Sequence, residues 1–141
     1  MHYPFHVFII DDDYISNIIT ESVLQRANSV GRPRTFQNAE QALDVLKEER
    51  GLPAAGPVFD LVFLDIFMPI MDGFEFLTEL EKTPAHPNRQ LAVVLLSGSE
   101  IPFSTSKFKQ FASVKAQLLK PLTEQTVTQV LETIISDTEL R

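Results

Sequence analysis

Cysteine is absent from this chain of 141 residues, which excludes disulfide bonds, thiolate nucleophiles and metal sites built from thiolates. Any bound metal ion must therefore be held by oxygen or imidazole ligands. The chain also lacks an apolar run of eighteen residues, and it lacks a charged-then-apolar leader followed by a small-residue cleavage site. Neither membrane insertion nor secretion is predicted, so we expect a cytoplasmic protein without a membrane partner.

Basic residues are also scarce, with 12 Lys and Arg against 19 Asp and Glu and a formal net charge of −7. This balance argues against a nucleic-acid partner, because binding a phosphate backbone requires clustered basic side chains. The composition of 44% hydrophobic and 22% charged residues is typical of a globular domain. We expect residues 1–141 to form a single domain with no output domain.

Strand-like and helix-like segments alternate along the chain without internal repeats, which predicts an α/β protein with a parallel sheet and right-handed crossovers. The first helix should carry Ile15, Ile18, Ile19, Ser22 and Val23 on one face, as an amphipathic helix does. The helix near Phe103 to Phe111 has the weakest pattern. The predicted strands are Phe5 to Ile10, Arg34 to Phe36, Leu61 to Asp65, Leu91 to Leu96 and Ala116 to Leu119, and the other helices are Tyr14 to about Arg26, one after Asn38, Asp72 to about Glu81 and one after Thr123.

Polar residues follow four of these predicted strands at the point where each strand ends. Asp65 closes the third strand, and Asp11 with Asp12 follows the first. Ser97 follows the fourth strand, and Lys120 follows the fifth. Carboxylates brought close together at one edge of a sheet repel one another, and a hard divalent cation such as Mg²⁺ would relieve that repulsion.

The acidic cluster Asp11, Asp12 and Asp13 is followed along the chain by Asp65 with Met68, Pro69, Asp72 and Gly73, then by Ser97 and Gly98, and then by Lys120 and Pro121. This ordered set of motifs resembles the receiver domain of two-component response regulators, and the resemblance covers nearly the whole chain. It implies a flavodoxin-like (βα)5 doubly wound parallel sheet of strand order 2-1-3-4-5, whose first and third strands meet at the ligand-binding crevice. Asp11, Asp12 and Asp65 would then converge.

The resemblance also implies a role for each carboxylate. Asp65 would be the phosphoacceptor, and Mg²⁺ or Mn²⁺ would be the cofactor. Asp12 and Asp65 would contact the metal ion directly, and Asp11 would contact it through water. The backbone carbonyl of Phe67 would complete the protein ligands.

Further residues would bind the phosphoryl group. Lys120 and the hydroxyl of Ser97 would neutralise its oxygens, and Gly98 would leave space for it to enter. In the family the peptide bond before the proline is cis, so we predict a cis bond between Lys120 and Pro121 that aims the lysine into the crevice.

Two positions depart from the family pattern. Gln117 replaces the aromatic residue that usually responds to the serine, although Phe103, Phe108 or Phe111 could substitute for it. A solvent-facing strand position remains the simpler interpretation of Gln117. Phe67 borders the water path to the phosphoryl group, and we hypothesise that its bulk slows hydrolysis.

Several other residues are better explained by structure than by chemistry. The side chains of Asp13 and Asp72 are expected to cap helices, and Gly73 is expected to meet a backbone requirement. No metal-binding spacing relates His2, His6 and His86, so these three are predicted to be structural or surface residues. Phe103, Phe108 and Phe111 are predicted to be core residues.

The resemblance implies a switch, not a turnover enzyme: a stand-alone receiver that takes a phosphoryl group from a histidine kinase or phosphotransfer protein. It would signal to a downstream protein, with a homodimer also possible. One alternative is a receiver-like scaffold that works without phosphorylation, which the departure at Gln117 keeps open. A phosphatase of the haloacid dehalogenase type is a second alternative, but that class resembles Asp-x-Asp and Phe67 occupies the place of its second acid.

Overall fold

A computed structural model of the chain describes residues 5–27, 31–98 and 108–139. Within them, five strands and four helices follow one another along the chain. None of these helices combines the length and the apolar character needed to cross a lipid bilayer. The elements are β1 (Phe5–Ile10), α1 (Tyr14–Arg26), β2 (Arg34–Phe36), α2 (Ala39–Arg50), β3 (Val58–Asp65), α3 (Gly73–Glu81), β4 (Arg89–Ser97), β5 (Val114–Leu119) and α4 (Glu124–Glu139).

The five strands form one sheet in the order β2-β1-β3-β4-β5, and every neighbouring pair is parallel. The predicted strand order and flavodoxin-like architecture are therefore confirmed. Strand β3 is central, and all eight of its residues are buried between β1 and β4. The observed strands β3, β4 and β5 begin two or three residues earlier than the sequence pattern predicted.

Helices cover both faces of the sheet, so most residues of the three inner strands β1, β3 and β4 are apolar and buried, whichever face they point to. One face packs against α2 and α3 through Leu46, Phe76 and Leu80. The opposite face packs against α1 and α4 through Leu24 and Leu131. This double coverage explains why the central strands are continuous apolar runs instead of alternating patterns.

Helix α1 has the predicted length, but its isoleucine-rich face is turned to solvent. Ile15, Ile18 and Ile19 are 58%, 44% and 43% exposed, whereas Asn17 and Thr20 are buried. The amide of Asn17 explains this orientation, because its Nδ2 donates to the backbone carbonyls of Asp11 at 2.9 Å and Phe36 at 3.3 Å. The helix therefore uses a polar side chain to fasten the ends of β1 and β2.

The predicted helix caps are present. Asp13 accepts from the amide of Ile15 at the start of α1, and Asn38 accepts from the amide of Gln41 at the start of α2. Asp72 and Glu75 form a reciprocal capping box at the start of α3. Thr123 accepts from the amide of Thr126 at the start of α4.

Most of the predicted helix from Phe103 to Phe111 lies outside the described residues, and Phe103 is among those not described. Phe108 and Phe111 are buried, as predicted for core residues. Both rings contact the edge of Phe74 on α3, with ring centroids 6.1 Å and 5.3 Å away. These contacts fasten the chain before β5 to the core.

A buried ionic network lies toward the amino ends of the strands. Asp60 of β3 is fully buried and accepts two hydrogen bonds from Arg89, one from Nη2 at 2.6 Å and one from Nε at 3.0 Å. Arg50 adds a longer contact of 3.4 Å from its Nε. Both guanidinium groups are themselves largely buried.

Candidate functional site

The carboxyl ends of β1 and β3 bring three carboxylates together. Strand β1 leads directly into Asp11 and Asp12, and β3 ends on Asp65. Each of the three offers an oxygen atom, and these oxygens lie within 4.8 Å of one another. Asp11 and Asp65 are buried, whereas Asp12 is exposed. The predicted convergence of these carboxylates is therefore present.

Lys120 supplies a positive charge beside this cluster. It follows β5 directly, and its Nζ lies 2.8 Å from Oδ2 of Asp11 and 3.9 Å from Oδ1 of Asp65. The peptide bond between Lys120 and Pro121 is cis, as the sequence analysis predicted. In this structure the ammonium group is thus bonded to Asp11 and lies next to Asp65.

The side chain of Asp11 accepts hydrogen bonds on both oxygens. The backbone N–H of Asp13 donates to Oδ1 at 2.9 Å. The hydroxyl of Ser16 donates to Oδ2 at 2.6 Å, the same oxygen that Lys120 contacts. These donors hold the carboxylate in one orientation.

Ser97 is the last residue of β4 and is buried. Its backbone carbonyl accepts from the N–H of Lys120 at 2.8 Å, which ties the ends of β4 and β5 together. A Cβ atom added at Gly98 would meet no atom within 4 Å, so the space beside this residue is open. Ser97 therefore ends β4 and Gly98 follows it directly, and their roles in binding a phosphoryl group stay predictions.

The family model described as the response regulator receiver domain matches residues 7–132. The chain belongs to this family. The rice protein Two-component response regulator ORR8 is 29% identical over 131 residues, which is 92% of this chain and 97% of the rice protein. As a receiver domain, the chain is of a kind that acts as a phosphoacceptor switch and not as a conventional enzyme.

Solved structures have the same fold as this receiver. A two-component response regulator from Cytophaga hutchinsonii aligns with a TM-score of 0.76 at 24% identity, covering 96% of this chain and 99% of that one. The receiver domain of the histidine kinase CKI1 from Arabidopsis thaliana, solved in complex with Mg²⁺, aligns with a TM-score of 0.74 at 25% identity. That alignment covers 92% of this chain and 90% of that one.

The pKa values of Asp11, Asp65 and Lys120 in the receiver's site depart from their ordinary values. Burial and the neighbouring charge of Asp11 raise the pKa of Asp65 to about 6. Burial also opposes the charge on Asp11, but hydrogen bonds from Lys120, Ser16 and Asp13 outweigh it and lower the pKa of that carboxyl. Burial opposes the charge on Lys120 as well, and the carboxylates of Asp11 and Asp65 outweigh it, so the lysine pKa is raised.

The loop between β3 and α3 forms one rim of the site. Phe67 is 64% exposed, and its N–H lies 3.4 Å from Oδ1 of Asp65. Ile70 is 87% exposed and has a φ of 72°, the one positive φ among the described non-glycine residues. A Cβ added at Gly73 would lie 3.2 Å from the Cα of Ile66, so close backbone packing favours glycine there, in agreement with the prediction.

Gln117 is exposed on β5, which agrees with its interpretation as a solvent-facing strand residue. It shares a surface cavity of about 430 Å³ with Leu95, Phe108 and Phe111. The two phenylalanine residues are buried, and their rings pack against Phe74. Whether either ring substitutes for the missing aromatic residue stays a prediction.

Two residues of the site were missed by the sequence analysis. Ser16 donates to the carboxylate of Asp11, and Asn17 donates to the backbone carbonyl of the same residue. Ser16 and Asn17 interrupt the isoleucine pattern of α1, and this interruption was the sequence feature that could have indicated their role. The rotation of the helix about its axis decides whether such residues face the site, and sequence spacing does not give that rotation.

Proposed function

We propose that Asp65 of this receiver accepts a phosphoryl group from a histidine kinase or a phosphotransfer protein, and that the phosphorylated form signals through changed protein contacts. The proposal is carried by one observation. A buried carboxylate at the end of the central strand lies within 4.8 Å of two further carboxylates and 3.9 Å from a lysine ammonium group. No packing requirement explains such a concentration of charge.

Mg²⁺ fits the donor set, because hard oxygen ligands and a local excess of negative charge favour it. Asp12 and Asp65 would hold the ion directly, Asp11 through water, and the backbone carbonyl of Phe67 would add a further ligand. Mn²⁺ would fit the same oxygens. When bound, the cation supplies positive charge that offsets repulsion between the carboxylates and the incoming phosphoryl oxygens. The related CKI1 receiver was solved with Mg²⁺, which supports this proposal.

The chemical step is a transfer between two nucleophiles. An oxygen of the Asp65 carboxylate forms a bond to phosphorus, while the bond from phosphorus to the imidazole nitrogen of the donor breaks and leaves its electron pair on that nitrogen. With a pKa of about 6, Asp65 is mostly ionised at pH 7, so it has the form that attacks. Lys120 needs only a short side-chain movement to bind a phosphoryl oxygen on Asp65.

Ser97 and Gly98 would complete the binding of the phosphoryl group. Ser97 ends the strand beside β3, and its neighbour Leu96 is paired with Asp65 across the two strands. The hydroxyl would donate to a phosphoryl oxygen, and the open space beside Gly98 would admit the group. Movement of Ser97 would carry the following segment with it and alter the surface near β5.

The exposed apolar residues around the pocket support docking of a protein donor. Tyr14, Ile15 and Ile18 lie on the first turns of α1, directly after the acidic residues, and Phe67 and Ile70 lie on the opposite loop. Exposed apolar surface of this kind marks protein contact sites. We propose that the phosphodonor protein covers these residues while its phosphohistidine enters the pocket.

Acetyl phosphate with Mg²⁺ tests the proposal without requiring a known kinase. We expect intact-mass measurement to detect one added phosphoryl group on the wild-type chain and none on Asp65→Asn. Asp44→Asn is the matched control, because Asp44 is an exposed carboxylate on α2 and should leave the reaction unchanged. Release of free phosphate over many turnovers would instead indicate a phosphatase, and no reaction with any donor would indicate a phosphorylation-independent scaffold.

Phe67 provides a further prediction about the lifetime of the phosphorylated state. Its ring is exposed two residues after Asp65, and we expect it to exclude water from the phosphoryl group. Phe67→Asn should speed dephosphorylation of the purified phosphoprotein by about tenfold, which corresponds to a barrier change of roughly 1.4 kcal/mol. Leu52→Asn, which alters an exposed apolar residue after α2, should have no effect. An unchanged rate in Phe67→Asn would contradict the hypothesis.

A further inference from the structure

Ser16 has a hydroxyl that belongs to the polar contacts of the pocket but has no role in the proposed function as stated above. Its Oγ donates to Oδ2 of Asp11 at 2.6 Å and lies 3.3 Å from Nζ of Lys120. The lysine contacts the same carboxylate oxygen at 2.8 Å. The hydroxyl therefore bridges the two charged groups, donating to one and accepting from the other.

The position of Ser16 within α1 makes this arrangement informative. A polar side chain in the first turn commonly reaches back to the backbone N–H of the capping residue. Here that N–H, on Asp13, donates instead to Oδ1 of Asp11. The Ser16 hydroxyl is thus directed to the carboxylate of Asp11. Two donors at the start of the helix, the N–H of Asp13 and the hydroxyl of Ser16, therefore both bind the side chain of Asp11.

Phosphoryl transfer changes the surroundings of Asp11. Lys120 contacts Asp11 in this structure, but the proposed function requires its ammonium group at a phosphoryl oxygen on Asp65. When the lysine moves, Oδ2 of Asp11 loses its charged partner. The hydroxyl of Ser16 is then the side-chain donor that remains on this oxygen.

We propose that Ser16 is a positioning residue that holds the carboxylate of Asp11 oriented toward the cation, and that it is the side-chain donor left to do so when Lys120 is drawn to the phosphoryl group. The inference rests on the proposed function and deepens it, because it assigns this chain a residue that acts through Asp11. Ser16 touches neither the phosphoryl group nor the reacting atoms. Its contribution is the orientation of a neighbouring ligand.

Mg²⁺ binding measured by titration calorimetry tests this role without phosphorylation. A hydrogen bond to a charged acceptor in a half-buried setting predicts that Ser16→Ala raises the Mg²⁺ dissociation constant roughly fivefold. Ser16→Thr retains the hydroxyl and should stay close to wild type. Ser22→Ala is the matched control, because Ser22 lies on the same helix and contacts Arg26, away from the pocket.

The rate of phosphorylation by acetyl phosphate provides the second measurement. We expect Ser16→Ala to slow the reaction at limiting Mg²⁺ by the same factor as the change in dissociation constant, with a smaller effect at saturating Mg²⁺. In an Asp11→Asn background, Ser16→Ala should have no further effect on Mg²⁺ binding. A purely structural role would weaken both backgrounds equally and would not be restored by threonine.

The outcomes separate the inference from the function on which it rests. If the wild type binds Mg²⁺ and is phosphorylated while Ser16→Ala behaves identically, the role of Ser16 is overturned and the proposed function stands. An effect of Ser16→Ala that persists in full with Asp11→Asn also overturns it. If the wild type takes up no phosphoryl group from acetyl phosphate, the proposed function and the inference fail together.

Discussion

Replacing Arg89 with methionine is expected to lower the free energy of unfolding by about 3 kcal/mol, because it leaves a buried carboxylate without its main partner. Asp60 is completely buried and receives both of its short hydrogen bonds from Arg89. Those hydrogen bonds, more than the opposing effect of burial, raise the pKa of the Arg89 guanidinium above its ordinary value. Arg50 remains nearby, but its 3.4 Å contact is long for a hydrogen bond.

Urea unfolding at pH 7 measures this loss. Arg26→Met is the control, since Arg26 pairs with Glu124 on the surface at 2.8 Å and should change stability by less than about 1 kcal/mol. Adding Asp60→Asn to Arg89→Met removes the unpaired charge and should recover about half of the loss. A loss below about 1 kcal/mol in Arg89→Met would show that Arg50 or water fully compensates the buried carboxylate.

The same variant should leave phosphorylation unchanged under conditions where the protein is folded. Asp60 pairs with His6 and Leu91 near the amino ends of the strands, whereas Asp65 pairs with Leu96 at the carboxyl end. We therefore expect the two ends of β3 to have different roles, with Asp60 contributing to stability and Asp65 to phosphorylation. A parallel loss of phosphorylation in the folded variant would contradict this separation.

Asp65→Asn is expected to stabilise the metal-free protein at pH 7.5 while abolishing phosphorylation. The folded protein holds the pKa of Asp65 at about 6, chiefly by burial and then by the charge of Asp11, against an ordinary value of 3.8. A carboxyl whose pKa is raised on folding destabilises the protein wherever it must be ionised. At roughly 1.4 kcal/mol per pKa unit, the upper value of the gain is about 3 kcal/mol, and solvent relaxation reduces it to about 1 to 3 kcal/mol.

The pH dependence gives the sign of this effect. As the pH falls through about 6, the folded wild type takes up a proton on Asp65 while the unfolded chain does not. The stability of the wild type therefore rises and approaches that of the asparagine variant. The difference between the two should be largest above pH 7 and nearly absent near the ordinary pKa of 3.8. Unfolding in urea and a metal chelator across this range measures it.

Two additions make the measurement decisive. Asp44→Asn removes an exposed carboxylate on α2 and should show no comparable dependence on pH. Adding Mg²⁺ should stabilise the wild type more than Asp65→Asn, because a ligand that binds only the folded state adds its binding free energy to stability. If Asp65→Asn were less stable than the wild type at pH 7.5 without metal, burial of this carboxylate would not be unfavourable.

The fold could be predicted largely because apolar runs and their polar ends repeat along the chain. Alternation predicted a parallel sheet, whereas the strand order came from resemblance to a family. The outward orientation of α1 was not predictable, because Ile15, Ile18 and Ile19 have the spacing of a core-facing helix. The buried amide of Asn17, which binds two backbone carbonyls, decided the orientation against that pattern.

The residues alone predicted that Asp11, Asp12 and Asp65 lie at one edge, because they close or follow strands and parallel strands end at one edge. Their convergence was predicted from the family resemblance, which makes the first and third strands neighbours. Ser16 could not be predicted, because its contact depends on the rotation of a helix. The network of Asp60, Arg50 and Arg89 could not be predicted from the sequence either. Asp60 and Arg89, which form its closest contacts, are 29 positions apart in the chain.

Strand β3 is paired along its length by β1 and β4, and every residue in it is enclosed by side chains. A carboxylate mounted at the end of such a strand cannot retreat when a second charge is attached to it. If Asp65 is phosphorylated, we expect the displacement to occur instead in the side chain of Lys120 and in the loop between β3 and α3. The immobility of the acceptor is thus what would convert a local change in charge into movement elsewhere on the surface.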